Sequence, residues 1–188
     1  RRVVFVGASM GGYAALTYAR LVPGATVLAF SPQTTLSRDI APFERRYRYA
    51  QRKWDWTAPA FLDAAGAVAS AGEVHVLHDP FVPEDRAHAR RITGPNVRHW
   101  HLGHFGHRAI RQLKAAGVLQ HLIESIARGT LDEGDLARRL RARRGVEVWQ
   151  RALLAEAEAR GHRLLAGAAA RQMLDADGRL RFARRALR

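Results

Sequence analysis

The residues best suited by type and spacing to do chemistry lie at the start of the chain. Gly7-Ala8-Ser9-Met10-Gly11 fits the pattern G-x-S-x-G, and Gly12 extends it. A short β-branched and aromatic run, Val3-Val4-Phe5-Val6, precedes the pattern, and a stretch of helical composition from Tyr13 to Leu21 follows it. Strand, motif, helix is the order a nucleophile elbow requires, because the sharp turn projects the serine Oγ above the sheet. The serine backbone is strained there. The residues two before and two after it must be very small where backbones crowd, a demand Gly7 and Gly11 meet. The Met10 N–H would then face the oxyanion, aided by the dipole of the following helix. A phosphate-cradling loop would instead need G-x-G-x-x-G or a Gly-Lys-Ser/Thr ending, and neither occurs.

A serine nucleophile needs a base, and the base an orienting acid. With this elbow they follow the serine in chain order, acid first, each in a loop after a later strand. Val74–Leu77 (VHVL) reads as such a strand and is followed by Asp79 and Asp85. Val97–Leu102 (VRHWHL) is the next, followed by Gly103-His104-Phe105-Gly106-His107. Asp85 is the first choice of acid, although it could be a helix N-cap, and Asp79 is the alternate, otherwise a strand-end turn residue. His107 is the first choice of base, with His104 the alternate or a pocket residue. His99 and His101 alternate along the strand as packing residues do. The other histidines lack HExxH or comparable helical spacing, so no metal is implied.

The elements that must position these groups follow from hydrophobic patterning. Thr26–Phe30 (TVLAF) adds a second buried strand, and helices are expected at about 85–92 and 108–128. Strands alternating with helices make βαβ units, hence an α/β fold with a parallel sheet and helices on both faces. Two regions break the rhythm. Residues 33–73 form an insert carrying Phe43, Tyr47, Tyr49, Trp54 and Trp56, expected to lie over the site as a lid, with Trp54 and Trp56 shaping a pocket. From Gly129 onward the chain is helical throughout, with helices expected at 133–143, 146–160 and 162–174 and punctuation at Gly145 and Gly161. The organisation is thus a domain over 1–128 and a basic helical extension over 129–188.

Composition bounds the rest. Of 188 residues, 47% are hydrophobic and 26% charged, ordinary for a globular chain. No apolar run approaches the ~18 residues of a membrane span. The absence of cysteine excludes disulfides, thiolate metal sites and cysteine nucleophiles. The net charge is +14, nearly all from arginine, since only Lys53 and Lys114 are lysines. Those arginines are scattered and not interleaved with an aromatic stacking platform, which argues against a nucleic-acid partner. The chain opens on Arg1-Arg2-Val3 without a methionine or a signal pattern. An N-terminal truncation and a cytoplasmic location are therefore expected.

Residues 3 to about 126 resemble the second half of an α/β-hydrolase domain, in particular a group of bacterial hydrolase-like proteins of undefined substrate. The resemblance rests on GASMGGYAA, the strand end Phe30-Ser31-Pro32-Gln33, DRAHA, and GHRAIRQLKAAGVL. It implies that Asp85 of the D-x-x-H-A segment is the acid and His107 the base. It also implies that further strands, and the loop supplying a second oxyanion N–H, precede residue 1. The expected activity is a serine hydrolase acting on an ester, thioester or amide, the substrate a small molecule or an acyl- or glycan-linked ester, with no cofactor. The rival expectation is a non-catalytic domain of the same fold that holds an anionic partner, for which the arginines at 138, 139, 141, 143 and 144 speak.

Overall fold

The computed structural model describes residues 2–57 and 61–187; residues 58–60 of the insert, and the two terminal arginines, lie outside the description. Four strands form one parallel sheet in the order β1 (Val4–Ala8), β2 (Thr26–Phe30), β3 (Glu73–His78), β4 (Val97–His101). Val6, Leu28 and His75 share one register line across it. β2 is central and fully buried along its length, which is why TVLAF reads as an unbroken apolar run rather than an alternating one.

The strand order runs steadily in one direction. Right-handed crossovers then place every intervening segment on the same face of the sheet. Helix α1 (Met10–Ala19), a 3-10 turn at Ala64–Ser70 and the packed residues of α3 (Pro83–Arg91) do share that face, over Phe5, Val27, Ala29, Val74, Val76 and Val97. The opposite face, with Val4, Leu28, Phe30, Leu77 and Trp100, is covered, among the described residues, by chain that comes after β4. That cover consists of α4 (Ala109–Ala115), α5 (Leu119–Arg128), α6 (Glu133–Arg139) and the start of α7 (Glu147–Ala159). Helical sequence beyond residue 129 is therefore part of the cover: Leu136 and Trp149 are buried with Phe105 and Leu113. A third cluster, around Leu154, Ala166, Ala170 and Met173, joins α7 to α8 (Arg163–Ala176) and α9 (Arg181–Arg185).

The four expected strands, and the helix expected at about 85–92, are present to within a residue or two. The single helix expected over 108–128 is two. Gly117 sits at φ 70°, the N–H of Val118 returns to the Leu113 carbonyl (2.9 Å) and that of Gly117 to Lys114 (3.0 Å). This is a Schellman stop, which a glycine accepts without a Cβ clash and which lets α5 fold back onto the sheet. The helix expected at 133–143 likewise ends at Arg139 and tightens into a 3-10 turn over Leu140–Gly145.

The turn after β1 needs its small residues in a different pattern from the one read in sequence. A Cβ on Gly7 would stand 2.0 Å from the Gly11 carbonyl oxygen, and one on Gly12 2.8 Å from the Pro32 Cβ. Gly11 itself has open space where a side chain would go. Its backbone is the obstacle that forbids a side chain at Gly7, so the crowding is one-sided. Gly7→Ala is expected to cost about 3 kcal/mol of stability as an overpacked backbone contact. Gly11→Ala, inside the first turn of α1, is expected to gain up to about 0.8 kcal/mol. Urea unfolding of the two variants checks both signs.

Candidate functional site

Four loops leave the carboxyl ends of the four strands, the edge at which open parallel sheets bind ligands. Ser9 follows β1 directly. Its backbone is at φ 56°, ψ −124°, a conformation an L-residue holds only when its surroundings over-determine it. Here its N–H is held by the Phe30 carbonyl (2.9 Å) and its carbonyl takes the Tyr13 N–H (3.1 Å). Helix α1 begins at Met10, so the Met10 N–H has no acceptor within the helix.

The Ser9 Oγ lies 3.0 Å from His107 Nε2, and His107 Nδ1 lies 2.8 and 3.0 Å from the two Asp85 oxygens. Asp85, in the first turn of α3, is completely buried. The carboxylate requires the imidazole proton on Nδ1, which leaves Nε2 as a lone-pair acceptor facing the serine. Ser9, Asp85 and His107 are thus brought together. The alternates are not. Asp79 accepts the N–H of Phe81 (2.9 Å) and of Gly106 (2.7 Å), tying the loop after β3 to the loop that carries His107. His104 takes φ 66° and stacks on Phe81 at 4.4 Å, with Trp149 of α7 edge-on at 6.2 Å. Both are fasteners of the loops around the site.

Three groups that touch this chain of hydrogen bonds went unrecognised in the sequence. Arg46 donates from Nη1 to Asp85 Oδ1 (2.7 Å) and from Nε and Nη2 to Glu44 (3.0 and 2.6 Å). Glu44 is in turn 3.2 Å from His88 Nε2, whose Nδ1 accepts the Thr34 N–H. Tyr47 sets its hydroxyl 3.1 Å from Ser9 Oγ and 2.9 Å from His107 Nε2. Gln33 Oε1 is 3.1 Å from Ser9 Oγ. Their sequence signals were the strand end Phe30-Ser31-Pro32-Gln33 and the basic and aromatic run Glu44-Arg45-Arg46-Tyr47-Arg48, which say nothing of direction until the insert is folded. Of the tryptophans expected over the site, Trp54 is exposed, and Trp56 packs edge-on against Tyr13 and donates to the Ala50 carbonyl. Neither shares a hydrogen bond or ring contact with Ser9, Asp85 or His107. Residues 33–37, the start of the expected lid, are buried beneath the surface.

The electrostatics favour an ionised carboxylate pair. Burial pushes the Asp85 carboxyl up, but hydrogen bonds from His107 and Arg46 outweigh it and hold the group below its usual range. Glu44 behaves alike, opposed by burial and drawn down to about 2 by His88 and Arg46. Two carboxylates share one fixed cation, Arg46, so these three groups together carry a net negative charge. Beside it, His78 on β3 is pushed down to about 4, first by burial and then by His101 and His99.

No protein-family model, curated protein or solved structure is significantly similar to the chain. Among the described residues no helix is long and apolar enough to cross a membrane, and no three His, Asp or Glu side chains converge as a metal site would need.

Two outcomes follow. Asp79→Ala strands two backbone N–H groups and is expected to cost about 3 kcal/mol in denaturant unfolding. Stability should also fall on acidification in two separate windows. A histidine whose folded pKa is depressed takes up its proton more readily unfolded, so the His78 contribution is complete above pH 6.5 and is lost down to about 4. Glu44 contributes above pH 4.5 and loses its share as the pH falls toward about 2. His78→Asn should flatten the upper window alone in a pH series of thermal melts.

Proposed function

We propose that the chain is a serine hydrolase of α/β-hydrolase type, acting on an ester, thioester or amide through Ser9, His107 and Asp85. The observation that carries this is the His107 ring, with Nε2 on the oxygen of a strained strand-to-helix serine and Nδ1 on a wholly buried carboxylate. In this reading Ser9 Oγ attacks the substrate carbonyl while His107 Nε2 takes its proton. Asp85 keeps the imidazole in the required tautomer and, with Glu44 leaving the cluster negative, stabilises the imidazolium. The Met10 N–H at the start of α1 faces the developing oxyanion. His107 then returns the proton to the leaving group, and the ester on Ser9 is hydrolysed by water activated at the same nitrogen.

Tyr47 regulates the readiness of this set. His107 Nε2 has one lone pair, and both the Ser9 and Tyr47 hydroxyls lie within reach of it. When Tyr47 donates to Nε2, Ser9 turns its proton to Gln33 Oε1 and is not activated; when Tyr47 donates to Ser9 Oγ, Ser9 is poised. In this reading the insert contributes a hydroxyl over the nucleophile.

A fluorophosphonate probe and a p-nitrophenyl ester test the reading. Ser9→Ala should abolish labelling, and Ser9→Ala or His107→Ala should lower kcat at least about ten-thousandfold. His104→Ala should leave turnover within a few-fold of the parent. Well-folded parent protein that neither labels nor turns over would defeat the reading. Removing the competing donor with Tyr47→Phe should raise the labelling rate about threefold, the size of one modest hydrogen bond.

A further inference from the structure

The segment that delivers Arg46 and Tyr47 to the site turns its other side chains the opposite way. Arg38, Arg45, Arg48 and Arg52 line an open cleft of about 510 Å³, together with Glu44 and Gln51. Arg48 and Arg52 stand four residues apart on α2 (Arg48–Lys53), and Arg45 lies in the loop that leads into it. Among the described residues none of these four arginines has a carboxylate or hydrogen-bond partner. On α5, α6 and α7, by contrast, Arg128, Arg139, Arg151 and Arg160 pair with carboxylates one turn away. The one carboxylate in the cleft wall is already engaged, since Glu44 is nearly inaccessible and gives its oxygens to Arg46 and His88.

Four unneutralised guanidinium groups around one cleft are unfavourable by themselves, because like charges at a four-residue helical spacing repel. The wall is nevertheless held in place: Gln51 Nε2 ties α2 to the Glu44 carbonyl at 3.0 Å, and the Gln51 N–H returns to the Tyr47 carbonyl. Guanidinium forks match phosphate oxygens two at a time, and a phosphate or diphosphate brings enough charge to offset several of them. The segment that lines the cleft also borders the reacting atoms, because Tyr47, between Arg46 and Arg48, rests its hydroxyl on Ser9 Oγ.

We propose that this cleft is an anion subsite that takes a phosphate or diphosphate group of the substrate, whose acyl bond lies at Ser9. The assignment of that group to a substrate rests on the hydrolase reading above; the anion site itself does not.

Inorganic pyrophosphate titrated calorimetrically into the full chain at physiological salt tests it. Binding should weaken about tenfold or more in Arg48→Ala/Arg52→Ala, and remain at the parent value in Arg171→Ala/Arg179→Ala, which removes the same charge elsewhere. No binding by the parent, or equal weakening in both double variants, overturns the site. A single-stranded oligonucleotide that binds more tightly than pyrophosphate and is lost in the same cleft variant also overturns it, in favour of a nucleic-acid surface. Added pyrophosphate should raise KM for an ester bearing a phosphate in the parent, and should do so about tenfold more weakly in Arg48→Ala/Arg52→Ala. Pyrophosphate binding through Arg48 and Arg52 in a chain that hydrolyses no ester sinks the hydrolase reading and keeps the anion site. Ester turnover without pyrophosphate binding does the reverse.

Discussion

The buried carboxylate of Asp85 is the constraint on which the arrangement around it depends. An ionised carboxylate removed from water is stable only if every oxygen finds donors and its charge a partner. Here one oxygen receives both His107 Nδ1 and Arg46 Nη1, and the other faces His107 again. Meeting that demand draws in the rest. Arg46 needs Glu44, Glu44 needs His88, and His88 is held by the Thr34 backbone. The chain of partners runs from α3 through the insert and back to the loop after β4. A network of this kind favours one conformation strongly, because a half-satisfied version leaves a charge unpaired in a low dielectric.

The sheet supplies the frame that makes such convergence possible. Because the strands are laid down in one direction, their carboxyl ends stand in a row, and Ser9, Asp85 and His107 each need only a short loop to reach a common point. The same topology leaves the second face of the sheet bare until the chain has passed β4. Helix α6 and the start of α7 are therefore bound to the sheet by apolar cover, while α8 and α9 pack on α7 in a cluster of their own. Trp149 carries that link to the rim of the site: it is buried with Phe105, donates to the Gly103 carbonyl, and lies edge-on to His104.

The insert does two jobs that its sequence does not separate. Residues 31–37 run buried past the nucleophile, and the following stretch alternates between the site and the open cleft. Arg46 and Tyr47 face inward to Asp85, His107 and Ser9, while Arg45 and Arg48 face outward. Neighbouring arginines thus meet opposite surroundings, a buried carboxylate for Arg46 and an open cleft for Arg45 and Arg48.

By itself the sequence determined the parts governed by local physics. Short β-branched and apolar runs identified four parallel strands, and the G-x-S-x-G turn between strand and helix placed Ser9, because only glycine at position 7 tolerates the approach of the Gly11 backbone. The choice of Asp85 and His107 over Asp79 and His104 was open on spacing alone, since each pair occupies the right loops; the family resemblance pointed to the first pair. Only tertiary structure brings that pair together, and for a physical reason: Asp79 lies nearer the strand end, where two backbone N–H groups claim it, and His104 is turned by a left-handed backbone onto Phe81. The contacts of Arg46, Tyr47 and Gln33 likewise arise only on folding, because their partners lie far along the chain or across the sheet and no local periodicity encodes such a meeting. The stop at Gly117 was legible as a glycine but not as a turn, since its left-handed conformation is chosen by α5 folding back onto the sheet.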